Sequence, residues 1–336
     1  MKKIKGKHCV IAGGVLCGIG ILFFGIGMAF GGKEYVKNAD LNQMNGKAML
    51  DSKQEAFSGE ETFEDLTGIQ ADLKNIDLLI KPSEDEKFHL TYNLEKSGKG
   101  KNPLSFEQKD GLLTIKESEG NGGSYYIKVD ISIINVLFGN DKVYDYKNEA
   151  TLYIPERKIL DKASINLENG DFYADGFAAE TAEIRLEYGD IIMQNISLNK
   201  GNITAEDGDI SADKGLLKDL DMKAKYGDIM LKNTQYENGK ITLEDGDLNS
   251  SEISFTGDTD IVNKYGDVSL KLSKETANDT SIEAKTEYGE IDISENLKKT
   301  AGKFMENEDM IYFEKEGLQG SGKISVEAED GDISIQ

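Results

Sequence analysis

"IRLEYGDIIM" (residues 184–193) places a Gly-Asp pair between two short runs in which apolar and polar residues alternate. The same arrangement returns in "ITAEDGDISA" (203–212) and again in "MKAKYGDIML" (222–231), at even spacing. Alternation with a period of two is typical of strands with one buried face. Glycine supplies the positive φ that a tight turn needs, and aspartate tolerates turn geometry. Each stretch therefore predicts a strand, a Gly-Asp turn and a second strand.

This unit recurs along the chain. The predicted structural turns are Gly170-Asp171, Gly189-Asp190, Gly208-Asp209, Gly227-Asp228, Gly246-Asp247, Gly266-Asp267, Gly289-Glu290 and Gly331-Asp332. The first five turns are evenly spaced along the chain. The next two intervals between turns are slightly longer, and the last interval is close to double the usual one. The long last step fits two coils separated by an insertion.

Stacking explains why such a unit should repeat. One unit cannot bury its apolar face alone, whereas stacked units share a continuous core. We therefore predict an all-β, single-chain β-solenoid of roughly 19–20-residue coils, each closed by a looser return of about eight residues.

Two alternatives stay open from the sequence. An antiparallel sandwich of hairpins explains one or two units, although not eight in near-constant register. A coil of roughly 38 residues with two Gly-Asp corners is the other alternative, because the residue before glycine alternates between polar residues and tyrosine. That residue is, in chain order, Asn169, Tyr188, Asp207, Tyr226, Asp245, Tyr265 and Tyr288, so the last tyrosine breaks the alternation.

The regular repeats occupy residues 161–336, and residues 62–160 read as strands of a less regular kind. Runs such as "KFHLTYNL" and "EATLYIP" alternate apolar and polar residues without the Gly-Asp motif. We interpret residues 62–160 as irregular coils and an N-terminal cap of the same β domain.

The N-terminus has the pattern of a membrane anchor. Residues 9–32 contain no charged side chain and would span roughly 36 Å as a helix, enough to cross a bilayer. Four lysines lie within residues 1–8, which predicts a cytoplasmic N-terminus and an extracellular body. A cleaved signal peptide is the alternative, but the apolar run is longer than a signal core usually is. Residues 33–61 are polar and are interpreted as a juxtamembrane spacer.

Composition excludes several functional classes. Residues 1–32 hold four of the 39 basic side chains and none of the 62 acidic ones, so the remainder carries 35 basic against 62 acidic side chains, a charge of −27. Such a body repels phosphate backbones, which argues against nucleic-acid binding. The chain has two cysteines, both in residues 9–32, and two histidines, which leaves little for thiol, zinc or triad chemistry. We predict no catalytic residue, no enzyme activity and no cofactor, and a calcium ion is kept only as an alternative.

Calcium is considered because stacked turns would place carboxylates about 4.8 Å apart along one edge. The candidate ligands lie in three "EDGD" turns: Glu206, Asp207, Asp209, Glu244, Asp245, Asp247, Glu329, Asp330 and Asp332. The simpler interpretation, which we favour, is that each aspartate satisfies the backbone of its own turn. Tyrosines beside the turns could stack on sugars, although packing at the edge is the simpler role, and His89 is interpreted as an ordinary strand residue.

The stretches "IDLLIKPSEDEKFHLTYNL" and "ATLYIPERKILDKASINLENGDFYADGF", followed by repeated Gly-Asp units, carry a family resemblance. From residue 62 to residue 336 the chain resembles the bacterial extracytoplasmic β-strand-repeat family of candidate adhesins, common in Gram-positive bacteria. The resemblance implies a solenoid-like domain displayed at the cell envelope, linked in some members to envelope stress, and it supplies no catalytic motif.

These observations lead to one functional hypothesis and two alternatives. The hypothesis is a membrane-anchored extracellular module that binds an envelope protein or glycan without catalysis. The first alternative is an envelope-stress sensor that intercepts cationic peptides, and the less favoured one is a polysaccharide-active enzyme.

Overall fold

The computed structural model describes residues 56–95, 101–118, 148–299, 302–307, 310–318 and 321–336. The predicted cytoplasmic tail at 1–8, the predicted membrane helix at 9–32 and most of the spacer at 33–61 lie outside these ranges. Within the described ranges, no helix is both long enough and apolar enough to cross a membrane.

The described part is all-β apart from two short helices, and its regular middle is a stack of coils with three strands per turn. These strands are β8 (Lys162–Leu167), β9 (Phe172–Asp175), β10 (Ala178–Ala179), β11 (Ala182–Tyr188), β12 (Ile191–Gln194), β13 (Ser197–Leu198), β14 (Gly201–Asp207), β15 (Ile210–Asp213), β16 (Leu216–Lys218), β17 (Leu220–Tyr226), β18 (Ile229–Lys232), β19 (Gln235–Asp245), β20 (Leu248–Tyr265) and β21 (Val268–Leu272). We call the sheets through β11, β12 and β13 the first, second and third faces. The two long strands, β19 and β20, continue around corners from one face to the next.

Parallel pairing between successive coils sets the length of the repeat. Ile184 pairs with Ile203, and Ile203 pairs with Met222, so the partners lie one sequence repeat apart. The second face keeps the same offset, since Ile191 pairs with Ile210. The prediction of a solenoid-like stack in which one coil corresponds to one Gly-Asp unit is therefore confirmed in this part of the chain. The coil of double length and the antiparallel sandwich are both excluded.

The core is built from the apolar half of each alternating strand. Ile184 and Leu186 on the first face, Ile191 and Met193 on the second, and Leu198 on the third are all buried. Equivalent positions in neighbouring coils are buried as well, so one apolar column runs through the stack. Burial of this shared column is the main force holding the coils together.

The return between the second and third faces is more ordered than predicted, because it contains the short third strand and a second turn. The backbone at this second corner has positive φ in five consecutive coils, at Gly176, Asn195, Lys214, Asn233 and Glu252. The Asn195 side-chain amide donates to Asp175 Oδ1 at 2.7 Å in the coil before it. A shallow groove, open to solvent, runs beside this corner.

The N-terminal strands extend the stack and then close it. They are β1 (Ala56–Phe63), β2 (Gly68–Leu73), β3 (Asp77–Ser83), β4 (Phe88–Glu95), β5 (Leu104–Lys109), β6 (Leu112–Glu117) and β7 (Glu149–Pro155). Strands β2 and β3 pair in parallel with β8 and β9 on one side and with β6 and β7 on the other. Strand β5 pairs antiparallel with β6, β4 with β7, and β1 with β4. Residues 56–61, predicted as spacer, thus belong to β1, because β4 provides backbone partners that the polar local pattern does not reveal.

The C-terminal elements are α1 (Lys274–Asp279), β22 (Ser281–Tyr288), β23 (Ile291–Ile293), α2 (Glu295–Lys299), β24 (Lys303–Asn307), β25 (Met310–Lys315), β26 (Lys323–Asp330) and β27 (Ile333–Ile335). Their spatial order differs from their chain order. Strand β26 lies between β20 and β22, and β27 lies between β21 and β23, with parallel pairing on both sides. The coil with Gly331 therefore sits between the coils with Gly266 and Gly289.

The insertion expected from the long last step is present, and the order in which the last coils stack is a finding of the structure. Residues 295–322 include α2 and the hairpin β24–β25, which pairs antiparallel with β22. After this insertion the chain returns to a position between two earlier coils. There the final strands, β26 and β27, each form backbone hydrogen bonds with a strand on both sides. At this end the buried Lys315 ammonium donates to the carbonyl oxygens of Asn278 and Thr280, at 3.1 and 3.2 Å, at the C-terminus of α1.

Candidate functional site

The Gly-Asp turns form a single corner, the first corner, where the first face meets the second. Glycine is required here by two features of the backbone. At Gly208 φ is +148°, and a Cβ atom would lie 2.1 Å from the carbonyl oxygen of Gly189 in the preceding coil. The same close approach recurs at Gly227, where a Cβ would lie 2.3 Å from the Gly208 oxygen. A side chain at either position would push the coils apart, so the glycines let the corners stack closely.

The residues that follow these glycines form a hydrogen-bonded series, which we call the aspartate ladder. The backbone N–H of Asp209 donates to Asp190 Oδ1 at 2.9 Å, and the N–H of Asp228 donates to Asp209 Oδ1 at 2.8 Å. The same bond repeats at 2.8–3.0 Å through the described coils. In spatial order the ladder runs through Asp77, Asp171, Asp190, Asp209, Asp228, Asp247, Asp267, Asp332 and Glu290.

The ladder corrects the predicted role of these aspartates. Each side chain satisfies the turn of the next coil rather than the backbone of its own turn. Because an N–H dipole lies between successive carboxylates, the ladder offsets part of the repulsion within a column of like charges. Asp77 follows Ile76 rather than glycine, so the Gly-Asp motif does not reveal it. Glu290 stands at the far end of the described ladder, where its N–H donates to Asp332 and no backbone N–H of the described residues donates to its side chain.

The residues that immediately precede the glycines form a second column at the same corner. Its members face one another across the strand pairs in the order Tyr188, Asp207, Tyr226, Asp245, Tyr265, Asp330 and Tyr288. We call this set the tyrosine–aspartate column. In space the alternation is unbroken, because the C-terminal coil brings Asp330 between Tyr265 and Tyr288.

The tyrosines of this column are exposed. The exposed fractions of Tyr188, Tyr226, Tyr265 and Tyr288 are 56%, 50%, 45% and 72%. The predicted simpler role, packing at the edge, does not account for rings that leave about half of their surface in water. Adjacent strands lie about 4.8 Å apart, so successive tyrosines are about 9.6 Å apart along the column.

Two lysines modify the middle of the column. Lys225 Nζ lies 5.0 Å from the ring centroid of Tyr226, and Lys264 Nζ lies 4.8 Å from that of Tyr265. The hydrogen bond with Tyr265 and the electrostatic interaction with the same residue, followed by the charges of Glu329 and Glu244, raise the pKa of Lys264 above its usual value. Like Lys225, Lys264 is cationic at neutral pH and places positive charge beside the ring.

The predicted calcium ligands are not brought together. The three "EDGD" turns are never neighbours, because Tyr226 separates Asp207 from Asp245 and Tyr265 separates Asp245 from Asp330. Asp209 Oδ1 accepts a backbone N–H of the ladder, and so does Asp247 Oδ1. Across the ranges that the structure describes, no three His, Cys, Asp or Glu side chains are placed to hold a metal ion. Calcium binding at these turns stays a prediction with no assembled ligand set to support it.

His89 lies on β4, far along the chain from the column, with a side chain that is 20% exposed. Its Nε2 lies 2.8 Å from Asp85 Oδ1, and its Nδ1 lies 3.3 Å from Thr62 Oγ1. The hydrogen bond with His89, then that with the Lys87 N–H, lowers the pKa of Asp85 to about 2. These contacts tie β4 to β1 and to the loop before it, a structural role.

Comparison with known proteins agrees with the fold described above. A family model described as Toastrack DUF4097 matches residues 66–336. No curated protein matches the chain.

Several solved structures resemble the chain at low identity. A candidate cell adhesion protein from Clostridium sporogenes ATCC 15579 is 14% identical, with 84% of this chain and 99% of that chain covered and a TM-score of 0.27. A candidate adhesin from Bacteroides fragilis NCTC 9343 is 13% identical, with 85% and 98% covered and a TM-score of 0.42. A candidate lipid binding protein from Parabacteroides distasonis ATCC 8503 is 12% identical, with 84% and 98% covered and a TM-score of 0.34. At these identities and TM-scores, the likeness is not evidence for a shared ligand.

Proposed function

We propose that this chain, which belongs to the Toastrack DUF4097 family, is a non-catalytic binding module of the bacterial cell envelope. In this proposal residues 9–32 anchor the protein in the membrane as a single span. The N-terminus lies in the cytoplasm, and the β domain stands outside the membrane. The partner is an envelope component that the first corner contacts.

The observation that carries this proposal is the row of exposed tyrosines held on a stiff corner. The aspartate ladder and the close glycine contacts fix the backbone at this corner, so the rings are displayed from a pre-organised surface. Exposed aromatic rings provide large contact area at low conformational cost, which is why tyrosine is enriched in binding surfaces. The carboxylates of the ladder accept backbone hydrogen bonds, so the most regular acidic residues have a structural use rather than a catalytic one.

Charge supports the extracellular placement. The four lysines before the apolar run favour a cytoplasmic N-terminus, and the body that follows carries a charge of −27. An acidic surface is suited to neutral or cationic partners, and it disfavours nucleic acid.

Expression of the full-length chain with a C-terminal tag in a Gram-positive host tests the placement. We expect the tag to appear in the membrane fraction and to be accessible to protease added to intact cells. A soluble cytosolic protein, or a tag that is protected until the cells are lysed, would contradict the proposal.

Binding to purified envelope fragments tests the surface. We expect the detergent-solubilised full-length chain to sediment with fragments, and the double variant Tyr226→Ala/Tyr265→Ala to sediment less. Phe304→Ala is a matched control, since Phe304 is 48% exposed on β24, outside the column. Equal losses for the two variants would exclude the first corner as the binding surface.

A second candidate function is interception of cationic peptides by an envelope-stress sensor. The observation that favours it is the acidic body, with carboxylates such as Glu206 and Glu244 near the column. Attraction of this kind is screened by salt. Binding of a cationic peptide such as polylysine that disappears between low and physiological salt, without any effect of the tyrosine substitutions, would favour this second function over the first.

A further inference from the structure

The tyrosine–aspartate column keeps its alternation in space where the chain order breaks it. Had the alternation been only the remnant of a duplicated pair of coils, Tyr288 would be expected to stand next to Tyr265 in the stack. Instead Asp330 enters from the C-terminal coil, far along the chain from Tyr265, and separates the two tyrosines. The pattern is therefore a property of the folded surface.

Folding alone does not require tyrosine at these positions. Separating the carboxylates of the column would need only a neutral polar residue, yet each separator is a large ring that remains about half exposed or more. Exposed aromatic side chains aligned along one edge are typical of interaction surfaces, in which tyrosine is enriched. The rings thus point to a ligand that has apolar faces at a regular spacing.

The lysines indicate the charge of that ligand. Lys225 and Lys264 already place ammonium groups near the Tyr226 and Tyr265 rings. A cationic ligand would meet these ammonium groups in the middle of the column, whereas an anionic ligand would meet the carboxylates of Asp207, Asp245 and Asp330. An uncharged ligand with many hydroxyl groups suits both, because carboxylates accept hydrogen bonds and ammonium groups donate them.

Building on the proposed function, we infer that the column binds a straight, uncharged polysaccharide lying along the solenoid axis. The C–H face of a pyranose ring stacks on a tyrosine, and the next sugar along the chain presents hydroxyl groups to the intervening aspartate. A 1,4-linked chain in extended form advances, per sugar, by a length close to the spacing of one coil. Two sugars then match the about 9.6 Å between tyrosines, and the whole column of about 29 Å accommodates six or seven sugars.

Titration calorimetry with defined sugars on the detergent-solubilised full-length chain tests this inference. The probes are cellohexaose and hexa-N-acetylchitohexaose, their disaccharides, and a 1,3-linked glucan hexamer, whose chain curves away from a straight column. We expect both straight hexamers to bind, with affinity rising from disaccharide to hexamer and with little dependence on salt. The curved hexamer should bind at least about tenfold more weakly, because it reaches fewer rings.

Substitutions then assign the site. Tyr226→Ala/Tyr265→Ala should lower the affinity for the straight hexamers about tenfold or more, since two stacking contacts are lost. The double variant Tyr226→Phe/Tyr265→Phe keeps the rings and should change the affinity less than about threefold, and Phe304→Ala should leave it unchanged. Native-like exchange protection of the neighbouring ladder amides shows that each variant is folded.

Failure of this inference is distinguishable from failure of the proposed function. If envelope fragments bind through the tyrosines but neither straight hexamer binds or competes, the ligand assignment is wrong and the binding function stands. If the curved hexamer binds as tightly as the straight ones, or if Phe304→Ala has the same effect as the tyrosine variant, the column is not a linear glycan site. Salt-sensitive binding of polylysine that requires the tyrosines would assign the column to cationic peptides instead.

Discussion

Replacing Asp209 by alanine removes one acceptor from the middle of the aspartate ladder and leaves the core of the coil unchanged. Asp209 Oδ1 accepts the Asp228 N–H at 2.8 Å, while the Asp209 N–H still donates to Asp190 at 2.9 Å. The variant therefore leaves one backbone donor, the Asp228 N–H, without its partner. A neighbouring water can replace the carboxylate only in part, because Asp228 is half-buried.

The expected magnitude follows from two opposing terms. A hydrogen bond to a charged group is worth roughly 1.5–3 kcal/mol, and we take about 2.5 kcal/mol because the substitution also leaves the half-buried Asp228 N–H without its acceptor. Removing the charge also relieves repulsion by the two adjacent carboxylates, each contributing less than about 1 kcal/mol across about 4.8 Å of water. We expect a net loss of about 1 kcal/mol, growing as salt screens the repulsion that the substitution relieves. Asp209→Asn keeps an acceptor and should cost less than the alanine variant.

Hydrogen exchange measured by mass spectrometry on the full-length chain reads this effect locally. Coils of a solenoid contact mainly their neighbours, so a local loss need not appear as a single global transition. We expect exchange of the Asp228 amide to accelerate by about fivefold to tenfold in the alanine variant, as a loss of about 1 kcal/mol implies. Amides several coils away should keep their protection.

Glu290→Ala is the matched control, because it removes a carboxylate from the end of the described ladder, where no further coil donates to it. Its effect on exchange at the first corner should be within error. Unchanged protection of the Asp228 amide in Asp209→Ala would refute the structural role of the ladder. A loss in Glu290→Ala as large as that in Asp209→Ala would show that general charge, and not the hydrogen bond, stabilises the corner.

Three further predictions concern backbone and charge. Gly208→Ala should lower the free energy of unfolding by about 3 kcal/mol or more, since its Cβ would lie 2.1 Å from a backbone oxygen. Gly215→Ala meets the side chains of Ile196 and Thr234 at 3.3 and 3.5 Å and, among its nearest contacts, no backbone atom, so it should cost less, about 1 kcal/mol, and urea midpoints compare the two variants. Lys214→Gly should raise the urea midpoint, with a gain of about 1 kcal/mol, because lysine at φ +57° is strained, and an unchanged or lower midpoint would contradict this. Burial lowers the pKa of Lys315 below 10.5, so the unfolded state binds more protons between that lowered pKa and 10.5. The free energy of unfolding of the native chain, measured relative to that of Lys315→Met by urea titration, should therefore rise with pH across this window, and a flat or falling difference would contradict this.

The coil could be predicted from the sequence because its signal is local. Ile184 and Leu186 alternate with polar residues within one strand, and the same pattern returns at Ile203 and Ala205, so both the strand and the repeat length are visible without knowledge of distant contacts. The second corner gives a weaker signal. Gly176, Asn195 and Asn233 mark its positive-φ position, but Lys214 and Glu252 interrupt the series, so no motif recurs there from coil to coil.

Features set by distant contacts could not be predicted. The pairing of β26 with both β20 and β22 depends on how residues 295–322 fold, and no local pattern states which coil the last strand joins. The ladder presented the same difficulty. The sequence shows aspartate at each turn but not whether Asp209 bonds its own turn or the Asp228 N–H of the next coil. One signal was available, namely that Tyr288 follows Tyr265 where an aspartate was due.

The two columns of the first corner show how structural and functional constraints can be separated within one repeat. The residue that follows each glycine of the repeat is aspartate in every coil except the last one of the stack. The reason is that its carboxylate must accept the backbone N–H of the next coil. Glu290, in the last coil of the described stack, does not have this requirement. The residue that precedes each glycine does not have to accept a backbone N–H, and its identity varies between tyrosine and aspartate. Yet the variation is ordered in space rather than along the chain, as Asp330 demonstrates. Constant residues are thus explained by folding, while the spatially ordered variation at an exposed position has no such explanation and is the observation behind our proposal of a ligand that contacts several coils at once.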